Sequence, residues 1–174
     1  MENKLKGILR SGTVLATAGV IGVANLVSGC FGEDNTVSVM LDTGKAIVNF
    51  GIDLSKWEDD VDSFINTNEA AIKAACPEEL EKYQKSKAEM EKQDKAGDDS
   101  DNSFKDMTAE AVGLMKKTAA AENLDSSIRE EAENLAKRYD VMYDEMKNTL
   151  TKSMPDASKE EINKALDDAF KAAK

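Results

Sequence analysis

The chain has 174 residues, with 23 Lys and Arg against 34 Asp and Glu, a net charge of −11 and no His. Lack of His excludes Ser-His-Asp and Cys-His catalytic sites and imidazole metal sites, and the acidity excludes a general basic surface for nucleic acid. Two Cys allow at most one disulfide bond. Two Pro and ten Gly, in a chain rich in Ala, Glu, Lys and Met, favour helices.

The first thirty residues have the pattern of a secretory signal peptide. Three basic side chains and one acid fall within the first ten positions, and residues 11–29 then contain no ionisable side chain. A charged start, an apolar segment and small residues at its end are typical of a cleaved leader. We therefore expect residues 1–29 to be removed from the mature protein.

The leader ends in Val27-Ser28-Gly29-Cys30. This tetrapeptide resembles the lipobox of bacterial lipoprotein precursors, which reads aliphatic, small, Gly or Ala, then Cys. The resemblance implies cleavage between Gly29 and Cys30, a diacylglycerol on the Cys30 thiol, and commonly an acylated N-terminus carrying a fatty acid such as palmitate. Val27 stands where Leu is commoner, and the resemblance covers the first thirty residues only.

Two other interpretations of this segment stay open. It is just long enough to be an uncleaved membrane anchor, although Gly12, Gly19, Gly22 and Asn25 make it weakly hydrophobic. It could also be a buried core helix with an incidental Cys. In both membrane interpretations the basic start stays inside, so we expect the rest of the chain to face outward from the cell membrane or the outer membrane.

After the leader, residues 30–36 would be the lipidated Cys and a polar tether, and residues 37–174 a helical bundle domain. Loss of Lys4, Lys6, Arg10 and Glu2 with the leader changes the net charge from −11 to −13. Apolar residues from Val37 onward follow helical spacing. This stretch could be one long helix, but Gly51 and a capping box at Ser55-Lys56-Trp57-Glu58 favour two helices, 37–50 and 55–75. Trp57 is expected to be a core anchor.

The next helix is predicted to begin at Pro77, whose missing N–H costs nothing in a first turn, and to end near Ala96 before Gly97. Cys76, just before it, reads as a buried or half-buried structural thiol. An acidic flexible loop is expected at 97–103.

Three further helices are predicted. One follows the apolar stripe that begins at Phe104 and ends near Leu124. A second capping box at Ser127 precedes the most regular stripe in the chain, over 128–150. Met154-Pro155 ends that helix, and a third box at Ser158 leads into a last helix at 158–170. The expected fold is therefore all-α, a bundle of about five amphipathic helices.

The acidic residues offer one metal-like pattern. Asp99 to Glu110 places oxygen side chains at the spacing of an EF-hand calcium loop. However, Phe104 occupies the position where the turn needs Gly, and Asp106 replaces an apolar residue, so we expect a solvated linker. The carboxylates of Glu58, Asp59, Asp60 and Asp62 are likewise expected on a solvated face.

No catalytic residue, cofactor site or metal site is predicted. The leading hypothesis is a lipid-anchored, non-enzymatic protein with a binding or structural role at the cell envelope. It would contact the membrane through its lipid, and no nucleic-acid partner is expected. An envelope protein partner is possible but not identified, and the oligomeric state stays open. The alternative is a helical chaperone or inhibitor that uses the Met-bearing faces of 104–118 and 128–150 as an adaptable groove. An enzyme using carboxylates alone is a third hypothesis.

Overall fold

The computed structural model describes residues 36–96, 101–153 and 160. Within them lie four helices: α1 (Thr36–Ala75), α2 (Pro77–Ala96), α3 (Asp101–Ala120) and α4 (Ser126–Ser153). The described residues contain no strand, so the all-α prediction is confirmed, with four helices rather than about five. Cys30, its tether up to residue 35 and most of the helix predicted at 158–170 lie outside the described residues.

The chain divides into two compact units. The described residues of the first are 36–55, 141–153 and 160, and its buried side chains include Phe50, Leu54 and Met146. Those of the second are 56–96 and 101–140, which contain the C-terminal part of α1, all of α2 and α3, and the N-terminal part of α4. The candidate site lies wholly in this second unit.

The predicted helix break near Gly51 is wrong, because α1 runs uninterrupted from Thr36 to Ala75. A Gly inside a helix costs only about 1 kcal/mol relative to Ala. Leu54, three residues later, is 1% exposed, and burying such a side chain contributes about 1.5–3 kcal/mol, which offsets that cost. Ser55 is consequently an interior helical residue rather than an N-cap.

The junction between α1 and α2 is a single residue, Cys76. Its N–H donates to the Ile72 carbonyl at 2.7 Å, and its own carbonyl accepts from the Leu80 N–H at 3.1 Å. Pro77 has no N–H with which to continue the α1 ladder, so it ends one helix and begins the next. The predicted start of α2 at Pro77 and its end at Ala96 are confirmed.

Two helix starts differ from prediction. α3 begins at Asp101, inside the expected acidic loop. α4 begins at Ser126, and the Arg129 N–H donates to the Asp125 carbonyl at 3.1 Å. Because an N-cap carbonyl accepts the first intrahelical bond, the cap is Asp125 rather than Ser127. Asp and Ser are comparable caps, and the burial of Leu124 at the turn favours the earlier start.

The core of the second unit is built around Trp57, which is fully buried as predicted. Its indole Nε1–H donates to the Leu135 carbonyl at 2.7 Å, and its ring lies 5.2 Å from that of Tyr139 at a tilt of 49°. The other buried apolar side chains come from all four helical segments of the unit: Val61, Phe64, Ile65, Ile72, Leu80, Tyr83, Met107, Ala111, Val112, Leu114, Met115, Ala132, Leu135 and Ala136. These contacts make the unit a helical bundle.

Candidate functional site

Five polar side chains from three helices form two neighbouring hydrogen-bonded groups, together called the Glu58 cluster: Asp62 with Tyr83 and Lys87, and Glu58 with Thr108. Glu58 and Asp62 are four residues apart on α1, and Tyr83 and Lys87 are four apart on α2. This spacing places each pair on one face of its helix. α3 packs against α2 and contributes Thr108, which is 3% exposed.

Asp62 joins α1 to α2. One of its carboxylate oxygens accepts a hydrogen bond from the Tyr83 hydroxyl, and the other accepts from the Lys87 ammonium group. The Lys87 nitrogen also lies 6.0 Å from the centre of the Tyr83 ring. Burial raises the pKa of Tyr83, and the hydrogen bond to Asp62 raises it further, so the phenol remains a donor at neutral pH.

Glu58 joins α1 to α3. Its Oε1 lies 3.3 Å from the Thr108 hydroxyl oxygen, which in turn lies 3.0 Å from the Phe104 carbonyl oxygen. Desolvation by burial raises the pKa of the Glu58 carboxyl to about 8, against the opposing hydrogen bond from Thr108. A carboxyl with such a pKa is largely a neutral acid at pH 7.

A separate surface groove of about 260 Å³ lies between α1 and α4. Buried Phe64 and Leu135 are among its lining residues. Its polar lining includes an exposed ion pair in which Arg138 donates to Asp60 at 2.8 Å. The remaining lining residues are hydroxyls, amides and one acid: Ser63, Thr67, Asn68, Glu131 and Asn134.

Cys76 is buried and free, as predicted. Desolvation raises the pKa of its thiol, partly offset by an interaction with the buried Thr118 hydroxyl. A thiol with a raised pKa is a poor nucleophile at neutral pH because the thiolate is the reactive form. The geometry therefore supports a structural thiol.

The structure divides the acidic group on α1. Asp59 and Asp60 are exposed as predicted, but Glu58 and Asp62 are half-buried and bonded to other helices, so the expected solvated face is wrong for these two. One sequence signal was available. Leu54, Glu58 and Asp62 follow one another at intervals of four, so both carboxyls continue a row that begins with a core residue.

The described part of the calcium-like pattern, from Asp101 onward, is a helix and not a loop. Asp101 to Glu110 are helical residues of α3, whereas an EF-hand needs twelve residues wrapped around the ion. Among the described residues, no group of three or more Cys, Asp or Glu side chains could hold a metal ion. The predicted lipidation and cleavage residues, Cys30 and Gly29, lie outside the described part of the chain.

Chemically, the Glu58 cluster can hold a proton on a carboxyl group between two helices.

None of the described helices combines the length and apolar character needed to cross a membrane. The chain matches no protein-family model, and no curated protein or solved structure shows significant similarity to it.

Proposed function

We propose that this protein is a bacterial lipoprotein, anchored to a membrane through Cys30, with a non-enzymatic binding or structural role at the cell envelope. The observation that carries the proposal is the sequence Val27-Ser28-Gly29-Cys30 at the end of a charged start and an uncharged, largely apolar segment. Stable anchoring would need two or three acyl chains on the protein, because a single chain binds a bilayer only reversibly.

The position of α1 supports a short tether. The first helix in the described part of the chain begins at Thr36, six residues after Cys30, and an extended chain of six residues spans at most ~20 Å. A lipid on Cys30 would therefore keep the start of α1 within that distance of the bilayer. The net charge of −13 that follows from loss of the leader disfavours contact with anionic headgroups.

The use of the carboxyl groups supports a non-enzymatic role. Asp62 is occupied by Tyr83 and Lys87, and Glu58 is bonded to Thr108, so each connects one helix to another. Acid–base catalysis by paired carboxylates needs both groups to face a substrate. The arrangement fits a stabilised scaffold better than a reaction site.

The test is intact mass spectrometry of the protein extracted from membranes of a bacterium that expresses it. We expect the mass of residues 30–174 plus a diacylglycerol and an acyl chain. Cys30→Ser should retain residues 1–29 and carry no lipid. Cys76→Ser is the matched control, because this buried thiol is not the expected lipid site, and it should be processed like the wild type.

Other results would contradict the proposal. A full-length, membrane-bound protein without lipid would indicate the uncleaved anchor instead. Unprocessed protein recovered from the cytosol would contradict both membrane interpretations.

The chaperone alternative needs an exposed Met-bearing face. Met107 and Met115 on α3 are 3% and 0% exposed, and Met146 on α4 is 3% exposed. These three side chains are therefore packed inside the folded protein. Binding of a hydrophobic dye to the native protein would favour this alternative, and absence of binding would favour a closed scaffold.

A further inference from the structure

We propose that the groove between α1 and α4 binds a short peptide with free termini, its amino group at Glu131 and its carboxylate at Arg138. The proposal rests on the binding role proposed above and gives it a ligand class, but it does not depend on the lipid anchor. Mass spectrometry tests the anchor and titration of the folded protein tests the groove, so either can fail alone.

The groove has two walls, one on each helix. The lining residues of α1 lie between Asp60 and Asn68, and those of α4 lie between Glu131 and Arg138. On both helices they follow the i, i+3, i+4, i+7 pattern of a single helix face. Because Arg138 is bonded to Asp60, these two residues mark one end of the groove, and Asn68 and Glu131 mark the other.

The two ends carry opposite charges that a ligand can use. Arg138 donates one hydrogen bond to Asp60 at 2.8 Å, and both side chains are about half exposed, so this ion pair is weak. A guanidinium group has five N–H donors, and Arg138 therefore retains donors for a second carboxylate. At the other end, the Glu131 carboxylate makes no hydrogen bond or ion pair within the described part of the chain. A ligand with a carboxylate at one end and an amino group at the other complements this arrangement.

Between the ends the groove offers both donors and acceptors. Asn68 Nδ2 donates to the Phe64 carbonyl at 3.0 Å, which leaves the Asn68 amide oxygen as an acceptor. The Thr67 hydroxyl donates its single hydrogen to the Ser63 carbonyl at 2.8 Å, so towards a ligand it accepts. The Asn134 amide has no partner among the described residues and supplies both a donor and an acceptor. A peptide group, with one N–H and one C=O, matches such a lining.

The floor of the groove favours a peptide over a sugar. Phe64 and Leu135 are 3% and 4% exposed, so the aromatic ring of Phe64 is covered and offers no open face to a ligand. A sugar ring would need such a face as a platform, because small-molecule sites rely on apolar and aromatic walls for most of their contact. A peptide backbone needs only the polar groups along the two walls.

The lining is also unusual for the interior of a helix. Four of the nine lining residues are poor helix formers: Ser63, Thr67, Asn68 and Asn134. Thr67 and Asn68 bond to carbonyls of their own helix, and such bonds compete with the helical ladder. Residues that conflict with the local structure are expected mainly at functional sites. Their concentration along one groove is therefore an independent argument for a ligand.

The separation of the charged ends sets the length of the ligand. Glu131 and Arg138 are seven positions apart on one helix, which corresponds to a rise of ~10 Å. Three extended residues span at most ~10 Å. The groove volume of about 260 Å³ lies just below the range of drug-sized sites. Both measures fit a tripeptide with small side chains.

The experiment is a titration of the full chain, held in a mild non-ionic detergent, with trialanine. Nitrogen-15 NMR spectra follow the side-chain amide signals of Asn68 and Asn134. We expect saturable shifts of both signals, with a Kd on the order of 1 mM for so small a ligand. Trialanine acetylated at its amino group, or amidated at its carboxylate, should bind about fivefold more weakly, because each change removes one ion pair.

Two variants assign the ends of the ligand. Glu131→Gln should weaken binding of trialanine about fivefold and abolish the effect of acetylation, and Arg138→Gln should do the same for amidation. The matched controls are Glu130→Gln and Lys137→Gln, which remove a neighbouring charge on α4 outside the groove and should bind like the wild type. All four positions are exposed, so the substitutions should leave the fold intact.

Three results would overturn the proposal. The first is the absence of saturable shifts at trialanine concentrations well above the millimolar range. The second is equal binding of free, acetylated and amidated trialanine, or equal loss of binding in the site variants and their controls. The third is tighter binding of glucose than of trialanine, which would indicate a sugar site instead.

Discussion

Replacing Trp57 by Phe tests the joint between α1 and α4. Trp57 is fully buried, and its Nε1–H donates to the Leu135 carbonyl at 2.7 Å. Phe keeps a ring in the core but cannot make this bond. The Leu135 carbonyl lies within α4 and keeps its helical partner, so the substitution leaves no wholly unbonded group.

The magnitude has two parts. A buried hydrogen bond contributes about 1 kcal/mol net. The smaller ring also leaves a void beside Tyr139, whose ring is 5.2 Å from that of Trp57, and partial collapse of such a void costs roughly 1–2 kcal/mol. We expect Trp57→Phe to lower the free energy of unfolding by about 2–3 kcal/mol, a factor of about 30–150 in the unfolding equilibrium.

Chemical denaturation followed by far-ultraviolet circular dichroism measures this change. Trp57 is the sole Trp of the chain, so tryptophan fluorescence cannot be used for the variant. The denaturation midpoint should fall while the slope stays constant, because the exposed surface hardly changes. Val141→Ala is the control, since Val141 is 55% exposed and should change stability by less than about 0.5 kcal/mol. If Trp57→Phe were as stable as this control, the assigned role of the indole would be wrong.

Three other predictions have defined outcomes. Asp62→Ala removes the acceptor shared by Tyr83 and Lys87 and should lower the free energy of unfolding by about 1–3 kcal/mol. Asp60→Ala, in an exposed ion pair, should lower it by less than about 1 kcal/mol. Equal losses in thermal unfolding would contradict the structural role of the cluster. Gly113→Ala places a Cβ in open space in α3 and should stabilise the protein by about 0.5–1 kcal/mol. A lower melting temperature than that of the wild type would contradict this. In a Cys30→Ser background, Cys76 should react with a thiol reagent only after denaturation, because it is buried; fast reaction of the native protein would refute this.

Local sequence signals were enough where the cause is local. Pro77 has no N–H, so the boundary between α1 and α2 could be predicted to the residue. The apolar stripes likewise predicted most of the buried side chains of α3 and α4, since helical spacing puts them on one face, although Phe104, Ile128 and Met142 are only half-buried. The core role of Trp57 could be expected for the same reason.

Prediction failed where packing overrides a weak local preference. The Ser55 pattern has the composition of a capping box, but it lies inside α1, where burial of Leu54 and Trp57 favours continuation of the helix. The cap of α4 moved to Asp125 in the same way. Each local signal is worth about 1 kcal/mol, less than the burial of one large side chain.

By itself the sequence determined an all-α chain, its acidic charge and the lipobox-like segment that motivates the proposed anchor, because these depend on composition and on residues adjacent along the chain. Only the tertiary structure decided the chemistry of Glu58. Its partner Thr108 is 50 positions away, and the pKa of a carboxyl rises this far only when folding removes the water around it.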